Sequence, residues 1–177
     1  MNALRTAHTA DLDPAELHEI HALLEAAFEG DFDEDDWDHT IGGIHAWLRD
    51  ERGVAAHGSV VQRRVQHVGR SLRVGYVEGV AVRADRRREG LGSLVMEALE
   101  RVIDGAYVLG ALSASDDGAA LYAGRGWVRW PGRIAALGPS GVVPLPDEEG
   151  TTYLRPVAGL PDASEALLFD WRDGDVL

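Results

Sequence analysis

Apolar positions along the chain change period several times, and those changes mark out helices and strands. Asp13-Pro14-Ala15-Glu16 has the form of a helix start. Asp13 can cap, Pro14 suits the first helical position and Glu16 can complete a capping box. Leu17, Ile20, Leu24 and Phe28 follow at helical spacing, and the element ends near Gly30. A second, short helix is expected from Asp33 to Ile41, closed by Gly42-Gly43. Alternating, β-branched stretches then predict three strands, Ile44 to Leu48, Val54 to Val68 and Leu72 to Val82, with turns at Arg52-Gly53 and Gly69-Arg70. After Gly90 the helical period returns. Leu91, Leu94, Val95, Ala98, Leu99 and Val102 share one face of a helix that stops at Gly105. Tyr107 to Leu112 reads as a buried strand, Asp117 to Arg125 as a short helix ended by Gly126, and Trp127 to Trp130 opens a last strand pair. Pro131 to Gly150 reads as a Gly/Pro-rich loop, and Thr152 to Val157 and Ala166 to Trp171 as late strands. The order is a helix pair, an antiparallel meander and a βαβαβ half. It predicts one mixed α/β domain over residues 1–177, with any crossover right-handed.

Composition narrows the chemistry. The chain has 30 acidic residues against 17 basic ones, a net charge of −13; every basic residue is arginine and there is no cysteine. Without cysteine there is no disulfide framework, thiol nucleophile, thiolate zinc site or covalent thioester. Without lysine there is no Schiff base and no P-loop. The negative charge opposes nucleic acid and anionic lipid and favours a cationic partner. His18 and His21 lack the i,i+4 zincin spacing, the other five histidines form no ligand set, and no Gly-x-Ser-x-Gly elbow occurs, so neither a metal centre nor a serine hydrolase is expected. Met1 to Ala10 has no apolar run, and no stretch approaches the ~18 apolar residues of a membrane span, so a cytoplasmic location is expected.

One segment stands apart. In Val80-Ala81-Val82-Arg83-Ala84-Asp85-Arg86-Arg87-Arg88-Glu89-Gly90-Leu91-Gly92 a strand ends, four arginines cluster and two glycines open an apolar-faced helix. A helix N-terminus presents unpaired N–H groups and a positive dipole end, glycines let that backbone approach a phosphate, and arginines add charge-assisted contacts. The spacing is Arg-x-x-Gly-x-Gly, through Arg87, Gly90 and Gly92. It is neither a Rossmann fingerprint nor a Walker loop. A solvated basic turn is the alternative.

Strand, Arg-x-x-Gly-x-Gly and helix, placed after a meander, resemble the acetyl-CoA site of the GCN5-related N-acetyltransferase (GNAT) superfamily. Ala120-Leu121-Tyr122-Ala123-Gly124-Arg125-Gly126-Trp127 resembles its second signature, a short helix carrying Leu-Tyr and ending at Gly before an aromatic residue. Further segments resemble the aminoglycoside 2'-N-acetyltransferases over nearly the whole chain. They include Gly30-Asp31-Phe32, Trp37, Tyr76 to Asp85, Leu109 to Ser113 and Asp170-Trp171-Arg172. The resemblance implies an α/β GNAT fold: a single domain with a mixed, mostly antiparallel central sheet, splayed at the acetyl-CoA site and flanked by helices. It also implies acetyl-CoA as acetyl donor, with the backbone of Val80, Ala81 and Val82 against the pantetheine arm. Amides of Arg87, Arg88, Glu89, Gly90, Leu91 and Gly92 would hold the pyrophosphate. A homodimer is an assembly this fold allows.

Glu78 sits in an otherwise apolar run and on strict alternation shares a face with Val74, Tyr76, Val80 and Val82. Burial would raise its pKa toward neutrality, which suits a general base for an ammonium nucleophile, acting through a water. A substrate anchor on a bulge at Gly79 is the other reading. Tyr122 lies where the superfamily often keeps a tyrosine near the departing sulfur, and a phenol can protonate a thiolate. Without cysteine, direct amine attack in a ternary complex is the economical mechanism. Seven carboxylates fall in the ten residues from Glu29 to Asp38; Asp147-Glu148-Glu149 and Asp170, Asp173 and Asp175 form two further clusters. By the resemblance these line the mouth of a cleft for a polycationic amino sugar, with Asp31, Asp36, Glu78, Gly79, Ser113, Glu148 and Asp175 as substrate contacts. Asp33, Glu34 and Asp35 are read as surface. Glu148 stands where the family pattern suggests aspartate, and Leu177 where some relatives end in tryptophan. Acetylation of another amino sugar or a polyamine, or a non-catalytic module binding CoA or drug, are the rival functions.

Overall fold

The structure, a computed structural model, describes residues 3–114 and 116–177. Met1 and Asn2, the first residues of the stretch expected to carry no export signal, lie outside the described residues, as does Ser115. The chain divides into two compact units, Met1–Val61 with Val77–Val102, and Gln62–Tyr76 with Ile103–Leu177.

In the first unit, β1 (Leu4–His8) pairs antiparallel with β2 (Ile44–Asp50), and β2 with the first half of β3 (Gly53–His67). The last residues of β4 (Arg70–Val82) lie beside β3, so within this unit they form the sheet edge. Helix α1 (Pro14–Ala27) begins as expected: Asp13 Oδ1 accepts from the Glu16 amide at 2.8 Å and Pro14 opens the first turn. The Glu16 carboxylate does not serve as the expected box partner but meets the Arg5 guanidinium of β1. Its buried face, Ile20, Leu23 and Leu24, packs with Leu12, Trp47, Val54 and Ala81. Helix α2 (Glu34–Thr40) carries the capping box: Asp33 Oδ1 accepts from the Asp35 and Asp36 amides, and Asp36 Oδ2 accepts from the Asp33 amide at 3.0 Å. Helix α3 (Leu91–Ala106) runs through Gly105, and its inner face is Leu91, Val95, Met96, Ala98, Leu99 and Ile103. Leu94, assigned to that face by spacing, is 44% exposed. Gly58 of β3 admits α3 closely: a Cβ there would lie 3.0 Å from both Val95 Cγ1 and Leu99 Cδ1.

In the second unit the strand order is β6-β9-β5-β4-β3-β10-β7-β8. The new strands are β5 (Leu109–Ser113), β6 (Val128–Arg129), β7 (Ile134–Gly138), β8 (Gly141–Pro144), β9 (Thr152–Pro156) and β10 (Leu167–Asp170); α4 (Asp116–Gly124) follows β5. β4 and β5 pair in parallel at Val74–Leu109, Gly75–Gly110 and Tyr76–Ala111. β10 also pairs in parallel with β7, whereas β9 with β5 and β6, β10 with β3, and β7 with β8 are antiparallel. The sheet is therefore mixed and mostly antiparallel. The loop expected over 131–150 is instead the β7–β8 hairpin followed by a 3-10 turn at Pro146–Glu148. Gly138, Gly141 and Pro144 lie within the two strands, and Ile134, Ala135 and Ala136 are buried.

Arg63, buried to 1% exposure in β3, ties the C-terminal segment down. It donates from Nε to Asp170 Oδ1 at 2.8 Å and from its terminal nitrogens to the Asp170 carbonyl at 2.5 Å and the Val176 carbonyl at 2.6 Å. Its guanidinium also lies 5.1 Å from the Tyr76 ring centre and 5.2 Å from that of Phe169. Burial lowers its pKa, but an arginine so placed stays charged. Arg63→Met keeps the length of the stem and removes all three bonds, so a loss of about 3 kcal/mol is expected. Urea unfolding reads that loss, and limited proteolysis should show residues 171–177 released.

Candidate active site

The phosphate-gripping turn is built by ion pairs that consume part of its arginine cluster. Asp50, at the end of β2, accepts from Arg83 at 2.6 Å and is paired with Arg86; Arg83 also holds Asp85 at 2.7 Å and Arg86 holds Glu89 at 2.9 Å. Hydrogen bonds from Arg83 are the largest cause that holds the Asp50 carboxyl far below the usual range, so it stays ionised. Two of the four clustered arginines are thus structural. Arg87 and Arg88 remain exposed, and Arg87 Nε reaches the Val82 carbonyl at 3.3 Å. The backbone between them and α3 is curled: Arg88 has φ 66° and Gly90 φ 80°. Left-handed residues in such a turn point successive N–H groups toward one concavity, which is an anion nest. The first helical bond of α3 runs from the Leu94 amide to the Gly90 carbonyl at 3.2 Å. The amides of Leu91, Gly92 and Ser93 precede it and have no acceptor inside the helix. A diphosphate fits a cradle of this kind.

Glu78 is half-buried on β4, directly before Gly79, whose φ of 54° is left-handed in mid-strand. That conformation is the bulge form, and it breaks the strict alternation expected for residues 74–82. Gly79 is gripped on both sides. A Cβ there would lie 3.1 Å from Thr40 Cγ2 and 3.2 Å from Leu24 Cδ1, and its carbonyl lies 2.9 Å from His57 Nδ1. Thr40 ends α2 and donates from Oγ1 to the Asp36 carbonyl at 2.9 Å, so the helix bearing Asp36 packs against the bulge. Asp31 is exposed, ahead of α2. Asp36 spends one carboxylate oxygen on the Asp33 amide, and Asp33, read as mere surface, is the N-cap.

In the second unit Ser113 and Glu148, two of the residues read as substrate contacts, bond to each other. Ser113 Oγ donates to Glu148 Oε2 at 2.9 Å, and Thr151 Oγ1 donates to the same oxygen at 3.2 Å. Tyr122 lies on α4, 8% exposed, edge-on to Trp127 and tilted to Tyr153. Burial pushes its phenol up to about 12, so it remains protonated through the working pH range and can donate a proton but not accept one. Asp175 and Asp173 are exposed, whereas Asp170 is committed to Arg63. The sequence reading passed over Arg63, Thr40 and the histidine beneath Gly79. The signal for His57 was present: one titratable residue in the apolar run Val54 to Val61 of a long strand.

Residues 8–129 match the family model of the acetyltransferase (GNAT) domain. The chain is a member of the GNAT family. This GNAT chain is 44% identical over 181 residues to an aminoglycoside 2'-N-acetyltransferase of Mycolicibacterium fortuitum, spanning 99% of this chain and 92% of that protein. Its fold is shared with the GNAT family N-acetyltransferase YhbS of Escherichia coli in complex with CoA, at 17% identity and a TM-score of 0.65 over 97% of this chain and 90% of that one. A GNAT family acetyltransferase of Brucella melitensis in complex with acetyl-CoA superposes with a TM-score of 0.61 at 13% identity, over 94% and 96% of the two chains. The GNAT assignment makes the protein an acetyltransferase. Among the described residues no group of three His, Asp or Glu is arranged to hold a metal, and no helix is long and apolar enough to cross a membrane.

Proposed function

We propose that this protein transfers the acetyl group of acetyl-CoA to the 2'-amine of an aminoglycoside by direct attack in a ternary complex. The observation that carries the reading is the 44% identity, across 99% of the chain, with an aminoglycoside 2'-N-acetyltransferase. The residues present supply the parts this chemistry needs. The curled turn at Arg87, Arg88, Glu89, Gly90, Leu91 and Gly92 suits the diphosphate of the donor, whose thioester supplies the activated acetyl group. The β4 edge at Val80, Ala81 and Val82 suits an extended amide-bearing arm, since a strand edge offers N–H and C=O groups in register. Glu78 takes a proton from the ammonium through a water, because only the neutral amine is a nucleophile. Tyr122, protonated throughout, gives its proton to the departing thiolate. Asp31, Asp36, Glu78, Gly79, Ser113, Glu148 and Asp175 receive the amino sugar: carboxylates match its ammonium groups, and the Ser113 hydroxyl suits a sugar hydroxyl.

The 177 residues act as one acetyltransferase domain in this reading. The protein works in the cytoplasm, where acetylation of the antibiotic would confer resistance, and a homodimer is an allowed assembly. The test is a thiol-release assay with acetyl-CoA and tobramycin, with mass spectrometry of the product. Stoichiometric CoA release with one acetyl on the 2'-nitrogen is expected. Faster turnover of a polyamine or another amino sugar overturns the substrate, and binding without CoA release overturns the reaction.

A further inference from the structure

A chain of neutral hydrogen bonds runs through the interior of the first unit and ends on the Gly79 bulge. His57 Nδ1 lies 2.9 Å from the Gly79 carbonyl. A carbonyl only accepts, so Nδ1 carries the proton and Nε2 must accept. Its partner, 2.8 Å away, is His45 Nδ1, which therefore carries a proton too. His45 Nε2 then accepts in turn, from the Thr9 hydroxyl at 2.8 Å, while Thr9 Oγ1 accepts from the Gly42 amide at 2.8 Å. With both rings neutral the ring links have one assignment, running from the turn after α2 to the strand bearing Glu78; the Thr9 hydroxyl has the Gly43 carbonyl, at 3.3 Å, as a longer second acceptor. Both rings are 0% exposed. Burial holds His57 down to about 3 and His45 to about 4, so neither takes up a second proton at working pH.

This chain has no part in the reaction as described, and two buried histidines are costly unless fully bonded. What it determines is the direction of one peptide group. Gly79 has a left-handed φ that an ordinary strand would not keep, and its carbonyl is the group a relaxing bulge would rotate. That carbonyl lies in the peptide between Gly79 and Val80, so fixing it pins ψ of Gly79 and holds the left-handed bend directly beside Glu78, the backbone on which the Glu78 side chain is set. We propose that His57 is a positioning residue for Glu78, its Nδ1–H set by His45 and Thr9 and locking the Gly79 bulge so that the carboxylate is aimed at the amine. The inference rests on the reading of Glu78 as the base.

Leu and Asn have nearly the same shape, and Asn Nδ2 replaces the His Nδ1–H donor. His57→Leu is expected to lower kcat with tobramycin by about 10- to 100-fold, as misplacement of a reacting group does, with KM for acetyl-CoA within about twofold. His57→Asn should recover most of that loss. In a Glu78→Gln background His57→Leu should have almost no further effect, because a residue acting through Glu78 has nothing left to aim. Nitrogen-15 NMR of the wild-type histidines should show His57 as the neutral Nδ1–H tautomer, the minor form in water. An active wild type with His57→Leu unimpaired, with Asn and Leu equally impaired, or with losses that multiply in the double variant overturns the inference alone. So does an Nε2–H tautomer, whatever the activity. A wild type that releases no CoA with any amine sinks the functional reading and the positioning role with it, while leaving the tautomer result as a fact about the fold.

Discussion

Glu78→Gln is expected to lower kcat for aminoglycoside acetylation by about a hundred- to a thousandfold, the lower half of the range for removing a general base. The substitution preserves the size of the side chain and its place before the Gly79 bulge, so the fold and the acetyl-CoA turn should be untouched. The pH profile distinguishes base from anchor. In the wild type kcat rises with pH as the carboxyl loses its proton and becomes able to accept one from the ammonium. Glutamine neither gains nor loses a proton there, so the acidic limb should flatten in the variant. Steady-state kinetics from pH 5 to 9 with tobramycin and saturating acetyl-CoA make the measurement. A fall in affinity with an unchanged limb would leave Glu78 an anchor and return the proton to solvent.

Acidification is expected to destabilise the folded protein by on the order of 5 kcal/mol between pH 6.5 and 4, through His45 and His57. Burial is the main cause that puts both folded pKa values, about 4 and about 3, below the ordinary 6.5; His8 adds to it for His45 and His45 for His57. In that window the unfolded chain binds protons that the folded chain refuses, so stability is whole above about 6.5 and falls as pH drops toward the folded values. Each histidine contributes at most about 1.4 kcal/mol per pH unit, and the pair about twice that. Asp50, held low chiefly by Arg83, loses its contribution only below the ordinary carboxylate range, so the two effects separate along the pH axis. Urea unfolding at pH 7, 6, 5 and 4.5 gives the slope, and a His45→Phe, His57→Leu double variant should flatten it. A wild-type stability constant from pH 6.5 to 4.5 would mean that the rings are charged or solvated, which is incompatible with the bonded chain.

Both predictions turn on Gly79, and its case shows how far the linear pattern carries. Alternation put Glu78 on a face with Tyr76 and Val80, and it could allow for a bulge but not decide one. The decision came from Thr40, Leu24 and His57, three residues from three other elements that close on that glycine. The arginine cluster behaves similarly. Its spacing located the phosphate turn, but which guanidinium groups are free depended on Asp50, more than thirty residues earlier, taking Arg83 and Arg86.

From sequence alone, the helix starts at Asp13 and Asp33, the meander, the opening of α3 and the Leu-Tyr helix were all legible. Caps, periodicity and glycine turns act over four or five residues and are written locally. So was the family, because the motif and the acids around it lie in continuous segments. The tertiary structure decided the rest: β1, too short and polar to be recognised; β7 and β8, whose glycines and prolines resemble a loop until Ile134 to Ala136 are buried; and the parallel partnership of β7 with β10. It also decided Arg63 on Asp170 and Val176, and the run from Thr9 through two histidines to Gly79. Buried polar groups must find partners wherever the fold brings them, and those partners can stand a hundred residues away, beyond anything local order along the chain can specify.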